Sequence, residues 1–119
     1  MLNLDTHILL HAVNEALTSR EQMLLSNDVW SISAIVLWEI EKLRQKGRIA
    51  IGLDDPALAR VIARIHIWPI SPEICLTLRK LDFESDAADE LIAATSVVHN
   101  VPLLTRDARI RASKMLNMM

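Results

Sequence analysis

The chain has 119 residues, of which 51% are hydrophobic and 24% charged, with a formal net charge of −2. That length suits one domain burying about two thirds of the surface its unfolded chain would expose, and that charge excludes a protein coating nucleic acid through a uniformly basic surface. A single cysteine, Cys75, excludes an internal disulfide or a thiolate metal cage and fits a reducing, cytoplasmic setting. With 3% aromatic residues, the core has to be built from Leu, Ile, Val and Ala. The first segment, MLNLDTHILLHAV, is interrupted by Asp5 and His7 and has no basic leader, so it predicts neither a signal peptide nor a membrane span.

In chain order, MLNLD reads as a short buried strand that halts at an acid. THILLHAVNEAL has apolar positions at helical spacing, with Thr6 placed to cap it. REQMLLS continues as a second helix, and NDVWSIS is a short strand preceded by a turn at Asn27 and Asp28. AIVLWEIEKLRQK is an amphipathic helix that Gly47 ends. DDPALARVIARIH is a helix capped by Asp54 or Asp55, with Pro56 in its first turn. IWPI is a strand that Pro69 keeps short, and SPEICLTLRKL opens a helix with Ser71 as cap and Pro72 just inside. SDAADELIAAT starts another helix, VPLLT is a last buried strand, and RDARIRASKML is a terminal basic helix. Strands alternating with helices predict one α/β domain over residues 1–119, an α/β/α sandwich around a short central parallel sheet of about four strands joined by right-handed crossovers.

In such sheets ligands sit beyond the carboxyl ends of the strands, and the isolated acids fall there. Asp5 ends the first strand, Asp107 follows the last, and Asp89 lies on the first turn of the helix leading into it. Glu39 sits mid-helix among core-facing Val36, Leu37, Ile40 and Leu43, where an unpaired acid is expensive to bury. Two carboxylates about 4 Å apart at an effective dielectric near 20 repel by about 4 kcal/mol. A hard divalent cation removes that penalty, and oxygen-only ligands select Mg²⁺ or Mn²⁺ over zinc. Such an ion polarises a phosphoryl oxygen and makes hydroxide accessible near neutral pH, so the residue set suits phosphodiester hydrolysis.

Each residue also has a plainer reading. Acids suit the first turn of a helix, and Asp86 with Asp89 has the spacing of a capping box. Glu39 has Lys42 and Arg44 nearby as surface partners. His7 and His11 lie four apart, a metal-binding spacing without a third ligand, while His66 and His99 read as ordinary surface or cap residues. Trp30, Trp38 and Trp68 read as core or interface anchors rather than base-stacking platforms. Lys42, Arg44, Lys46 and Arg48 form one basic stretch, and Arg106, Arg109, Arg111 and Lys114 another.

Four segments, LDTHILL, ISAIVLWEIEKL, DAADELIAAT and VPLLTRDARI, in that order from residue 2 to about residue 112, resemble the PIN domain. They are most similar to the small VapC-type toxin ribonucleases. The resemblance implies that Asp5, Glu39, Asp89 and Asp107 are the catalytic acids that bind Mg²⁺ (or Mn²⁺), with Asp5 and Asp89 as direct ligands. Thr6, Ser33, Asp86 and Thr105 would support those carboxylates from behind. Arg106, Arg109 and Arg111, adjoining Asp107, would contact RNA phosphates, positioning a strand without reading its sequence. It further implies a cytoplasmic endoribonuclease, the toxin of a type II toxin–antitoxin module. This toxin would be a homodimer held inactive by a cognate antitoxin whose basic side chain plugs the acidic crevice.

Two readings stand beside it: a PIN nuclease of RNA processing without an antitoxin, and an inactive PIN fold kept as a binding module. The family commonly has DPADR where this chain has DAADE, so Ala87 replaces a proline and Glu90 an arginine near the site. The short tail RASKMLNMM leaves a final edge strand minimal or absent. A haloacid-type phosphatase is excluded because position 7, where it needs a second aspartate, is His.

Overall fold

The computed structural model describes residues 1–119. Its four strands are β1 (Leu2–Leu4), β2 (Trp30–Ser33), β3 (His66–Trp68) and β4 (Leu103–Leu104). They form one sheet in the order β3-β2-β1-β4, every pair parallel, with Asn3 beside both Ser31 and Leu103. The connecting helices are α1 (Thr6–Val13), α2 (Ser19–Ser26), α3 (Ile35–Gln45), α4 (Pro56–Ile62), α5 (Pro72–Thr77), α6 (Ala87–His99) and α7 (Ala108–Arg111). No helix is long and apolar enough to cross a membrane.

Every residue of β1 is buried, so both faces of the sheet are covered, as a parallel sheet with helical crossovers requires. The core is aliphatic, as the scarcity of aromatics demands: Leu2, Leu4, Ile8, Leu9, Ile32, Ile40, Leu58, Ile92, Leu103 and Leu104 are almost wholly inaccessible. Asn3 is the polar exception on β1. Its amide nitrogen donates to the Ile92 carbonyl (3.2 Å) and to Ser96 Oγ (2.8 Å), clamping β1 to α6.

The expected elements occur in the expected order, and the differences lie at their ends. Asp5, not Thr6, is the N-cap of α1; Thr6 is the first helical residue, and its buried hydroxyl, outside good hydrogen-bond geometry, still draws the Glu39 carboxyl down. The helix stops at Val13 rather than Leu17, with Glu15 in a left-handed conformation (φ 56°). Thr18 then opens α2 in a capping box with Glu21. The segment expected to stay helical through His66 leaves α4 at Ile62, because His66 pairs with Ser31 as the first residue of edge strand β3. The terminal helix is one turn, α7. The tail beyond it crosses β4, where Leu103 N–H donates to the Asn117 carbonyl (2.9 Å), leaving a single parallel bridge to Met118 as the final edge.

Candidate metal centre

The chain moves from β1 through β2 to β3 on one side of the sheet, then crosses back to place β4 on the other side of β1. The crevice beyond the carboxyl ends of β1 and β4 is therefore the switch point where parallel sheets receive ligands. Asp5 leaves β1 into this crevice, and Asp107 follows β4 by three residues. α3 starts directly after β2 and carries Glu39 one turn in, and the first turn of α6 carries Asp89.

Carboxylate oxygens of Asp5, Glu39 and Asp89 all lie within 4.8 Å of one another. With Asp86, Asp107, His7, His11 and Arg106 they line a cavity of about 380 Å³ that has no hydrophobic residue in its wall. Hydrogen bonds restrain these acids from behind. Thr105 Oγ1 donates to Asp5 Oδ2 (2.6 Å) and accepts from the Asp107 N–H (3.1 Å). Ser85 Oγ lies 2.8 Å from Asp89 Oδ2 and 3.3 Å from Asp86 Oδ1, so its one proton serves the nearer oxygen. Two oxygens are left without partners although buried, Asp5 Oδ1 and Glu39 Oε1. Buried carboxylate oxygens in that condition are rare unless something outside the chain satisfies them.

The electrostatics agree. Burial, then the neighbouring Asp86 carboxyl, pushes Asp89 up to about 7. Asp86 moves the other way, held down first by its hydrogen bond to Asp89, so the pair retains one proton on the more buried member. Glu39 is raised, again first by burial and then by the charge of Asp5. The guanidinium that lines the cavity, Arg106, is engaged elsewhere. Arg106 forms a forked pair with Glu21 (Nε–Oε2 2.9 Å, Nη2–Oε1 2.7 Å) and also reaches the Ala16 carbonyl. That pairing holds Glu21 down at about 2. The chain thus gathers three acids with unpartnered oxygens among them and none of the three in an ion pair, a donor set that fits a hard divalent cation.

Other sequence-derived candidates sit as follows. Asp107 lines the cavity, but its Oδ1 accepts from the N–H groups of Arg109 (2.9 Å) and Ile110 (3.1 Å), capping α7, and it stands outside the close group of three. Asp86 is the N-cap residue of α6 without a side-chain cap bond, and no capping box with Asp89 forms. Instead Glu90 Oε2 accepts from the Ser85 N–H (3.1 Å), bracing the turn that holds Asp89. Glu39 makes no ion pair with Lys42 or Arg44; the side-chain ion pair of the chain is Arg106–Glu21, and the N-terminus pairs with Asp28. Ser33 is buried away from the cavity, its Oγ accepting from the Ile35 N–H (3.3 Å).

Arg109 donates to the Glu84 carbonyl (2.7 Å), and Arg111 to the carbonyls of Thr105 and Met119 (both 3.2 Å), so all three arginines of that stretch bond within the chain. His66 and His99 are not isolated surface residues: both pack on Trp68, His99 stacked at 4.0 Å and His66 edge-on at 4.2 Å. Sequence reasoning missed Ser85 and Glu21. The Thr-x-x-Glu spacing of residues 18–21 marks a capping box, but nothing local marks Arg106, 85 positions away, as its partner.

The sequence profile of the PIN domain matches residues 3–114. The chain belongs to the PIN domain family. Among curated PIN relatives it is similar to Ribonuclease VapC22 of Mycobacterium tuberculosis, 29% identical over 90 residues that span 73% of this chain and 69% of that protein. Among solved structures it is similar to VapBC2 from Rickettsia felis bound to a promoter DNA fragment, with 22% identity, TM-score 0.75, and coverage of 100% of this chain and 98% of the other. A toxin–antitoxin complex from Klebsiella pneumoniae aligns with 19% identity and TM-score 0.72 over 100% of this chain and 96% of its own. These likenesses put the PIN fold, with its four parallel strands, beyond the family match alone.

Proposed function

We propose that this PIN domain is a divalent-metal-dependent endoribonuclease and the toxin of a toxin–antitoxin pair. The observation that carries the reading is the meeting of Asp5, Glu39 and Asp89, from three separate elements, within 4.8 Å, with Asp5 Oδ1 and Glu39 Oε1 buried and unpartnered. Those two oxygens and the Asp89 carboxylate would hold Mg²⁺ or Mn²⁺, and Asp86 and Asp107 are the other acids of the same cavity. When bound, the cation supplies Lewis-acid polarisation of a phosphodiester and lowers the pKa of water.

The chain's own residues prepare that site. Thr105 holds Asp5 by Oδ2 and leaves Oδ1 without a partner, and Ser85 holds Asp89 by its Oδ2. Asp89 holds its proton up to about pH 7 in the metal-free chain, and a bound cation would favour its ionised form. The tether of Arg106 to Glu21 keeps a guanidinium from collapsing onto the acids. Toxin status is supported by the relative named as a VapC ribonuclease and by neighbours named as VapBC and toxin–antitoxin complexes. The partner is then a small antitoxin that presents a basic side chain to the acidic cavity. Assembly as a homodimer belongs to the same reading.

The test is cleavage of structured RNA with Mg²⁺ or Mn²⁺ by the purified chain, beside an Asp5→Asn control. Cleavage that chelator abolishes and that Asp5→Asn lowers by two orders of magnitude or more is the expected result. Absence of acid-dependent cleavage would return the fold to a binding module. A short overlapping upstream reading frame for a DNA-binding protein, whose product suppresses cleavage when co-expressed, separates a toxin from an RNA-processing nuclease.

A further inference from the structure

Resting on the ribonuclease reading, we infer that the groove beside the metal centre, floored by Trp38 and flanked by Lys42, Lys46 and Arg48, binds single-stranded RNA: an unpaired base next to the scissile phosphate stacks on the indole, and the cations hold the strand's phosphates.

Four observations converge. First, Trp38 is 50% exposed, although it is one of the largest apolar side chains and precedes a site acid in the same helix. Trp30, by contrast, is partly buried and donates its indole N–H to the Leu25 carbonyl (2.8 Å). Second, Trp38 is not alone on its surface. It lines a groove of about 270 Å³ with Lys42, Lys46 and Arg48, all exposed, and none of the three is in an ion pair. Trp38 and Lys42 lie four apart in α3, and Lys46, its C-cap residue, lies four further on, which puts ring and ammonium groups on one stripe of the helix.

Third, the groove is continuous with the metal cavity. Glu39 and Asp86 belong to the walls of both, so a strand whose phosphate lies at the acids has its neighbouring nucleotide at Trp38. Fourth, the charge reverses along that path. The cavity concentrates acids for a cation, while the groove adds three cations where the next phosphates fall. An exposed aromatic face between basic groups is the arrangement that holds single strands, because every base has a face to stack and only an unpaired base can present it. A protein partner would find an apolar floor here but no counterpart to the three cations unless it were acidic, and the metal cavity next door calls for a basic one. The assignment also relieves the arginines after β4, each already bonded within the chain, of the main phosphate contacts.

The experiment titrates a fluorescein-labelled single-stranded octaribonucleotide against the full chain carrying Asp5→Asn, which blocks cleavage, and follows anisotropy. Adding Trp38→Ala weakens binding by about 10- to 100-fold, the range of one lost base stack, and Trp38→Phe restores most of it. Adding Lys42→Gln and Lys46→Gln lowers the slope of log affinity against log salt by about 0.7 for each lysine. In the otherwise unchanged enzyme, Trp38→Ala raises KM far more than it lowers kcat. Mn²⁺ affinity stays the same, which shows that the acids are undisturbed. Equal RNA affinity for the Trp38→Ala and parent proteins, at equal Mn²⁺ affinity, overturns the assignment and leaves the groove to a protein partner. Failure of the unmodified chain to cleave any RNA is a separate outcome: it removes the ribonuclease reading, while the titration still decides the groove.

Discussion

Replacing Asp89 by Asn tests whether the three acids share one pocket, because it removes a charge without changing shape. Burial and the adjacent Asp86 raise the Asp89 carboxyl from 3.8 to about 7. Between those values the folded chain keeps a proton that the unfolded chain releases. Stability from this group is therefore fully present below about pH 4 and lost as the pH rises through 7. At about 1.4 kcal/mol per unit the shift corresponds to about 4 kcal/mol. Asp89 is only partly buried, so solvent screening brings the expected figure to about 2 kcal/mol.

Metal-free Asp89→Asn is thus expected to be more stable than the parent by about that amount at pH 8, and nearly equal to it at pH 4. For a chain of this length, about 2 kcal/mol corresponds to a rise of about 8 °C in Tm. Circular dichroism melts in chelator at the two pH values measure it. Mn²⁺ at about 100 times its Kd then adds about 2.7 kcal/mol to the parent and little to the variant. A gap that does not grow with pH, or an equal response to Mn²⁺, refutes the shared pocket.

Thr105→Val keeps the shape of a residue that donates to Asp5 Oδ2 at 2.6 Å. Mn²⁺ affinity by calorimetric titration is expected to fall about 10- to 100-fold, with Thr105→Ser close to the parent; unchanged affinity would mean that the hydroxyl does not orient Asp5. Glu21→Gln breaks the forked pair with Arg106 while keeping most of the capping box. Urea denaturation at pH 7 should show a loss of about 2 kcal/mol, below the range for a fully buried pair because Arg106 is partly solvated. Glu21 is depressed to about 2, so this stabilisation is present above about pH 4.5 and vanishes as the pH falls through 2. Gly47 ends α3 at φ +69°, with open space where a Cβ would stand. Gly47→Ala should cost about 1 kcal/mol from backbone strain alone, read as a lower urea midpoint at constant m; no loss would mean that the turn relaxes out of the left-handed region.

Most of the fold was legible because its signals are local. Apolar spacing marks the helices, Pro56 and Pro72 mark first turns, Asp55 and Ser71 cap as their positions suggest, and Gly47 supplies the left-handed stop. The placement of Asp5, Asp89 and Asp107 near strand ends followed from the same alternation, since a parallel sheet collects those ends on one edge. Element boundaries were less legible where pairing overrides local preference. His66 has helical neighbours in sequence but joins a strand because β2 offers it an edge, and the tail abandons its helix for β4.

What a residue does with its polar atoms was least legible of all. Arg106 and Asp107 are adjacent in sequence, yet one is drawn to Glu21 and the other caps α7. Trp38 has the composition of a core residue and the surroundings of a ligand platform. Sequence alone therefore determined the alternating elements, their order and the residue types available at the strand ends, because those depend on neighbours within a turn or two. Tertiary structure alone decided which carboxylates come within a cation's reach, which charges are neutralised inside the chain, and which tryptophan meets water. Those outcomes depend on distances between groups up to 100 positions apart, and only the packed sheet sets them.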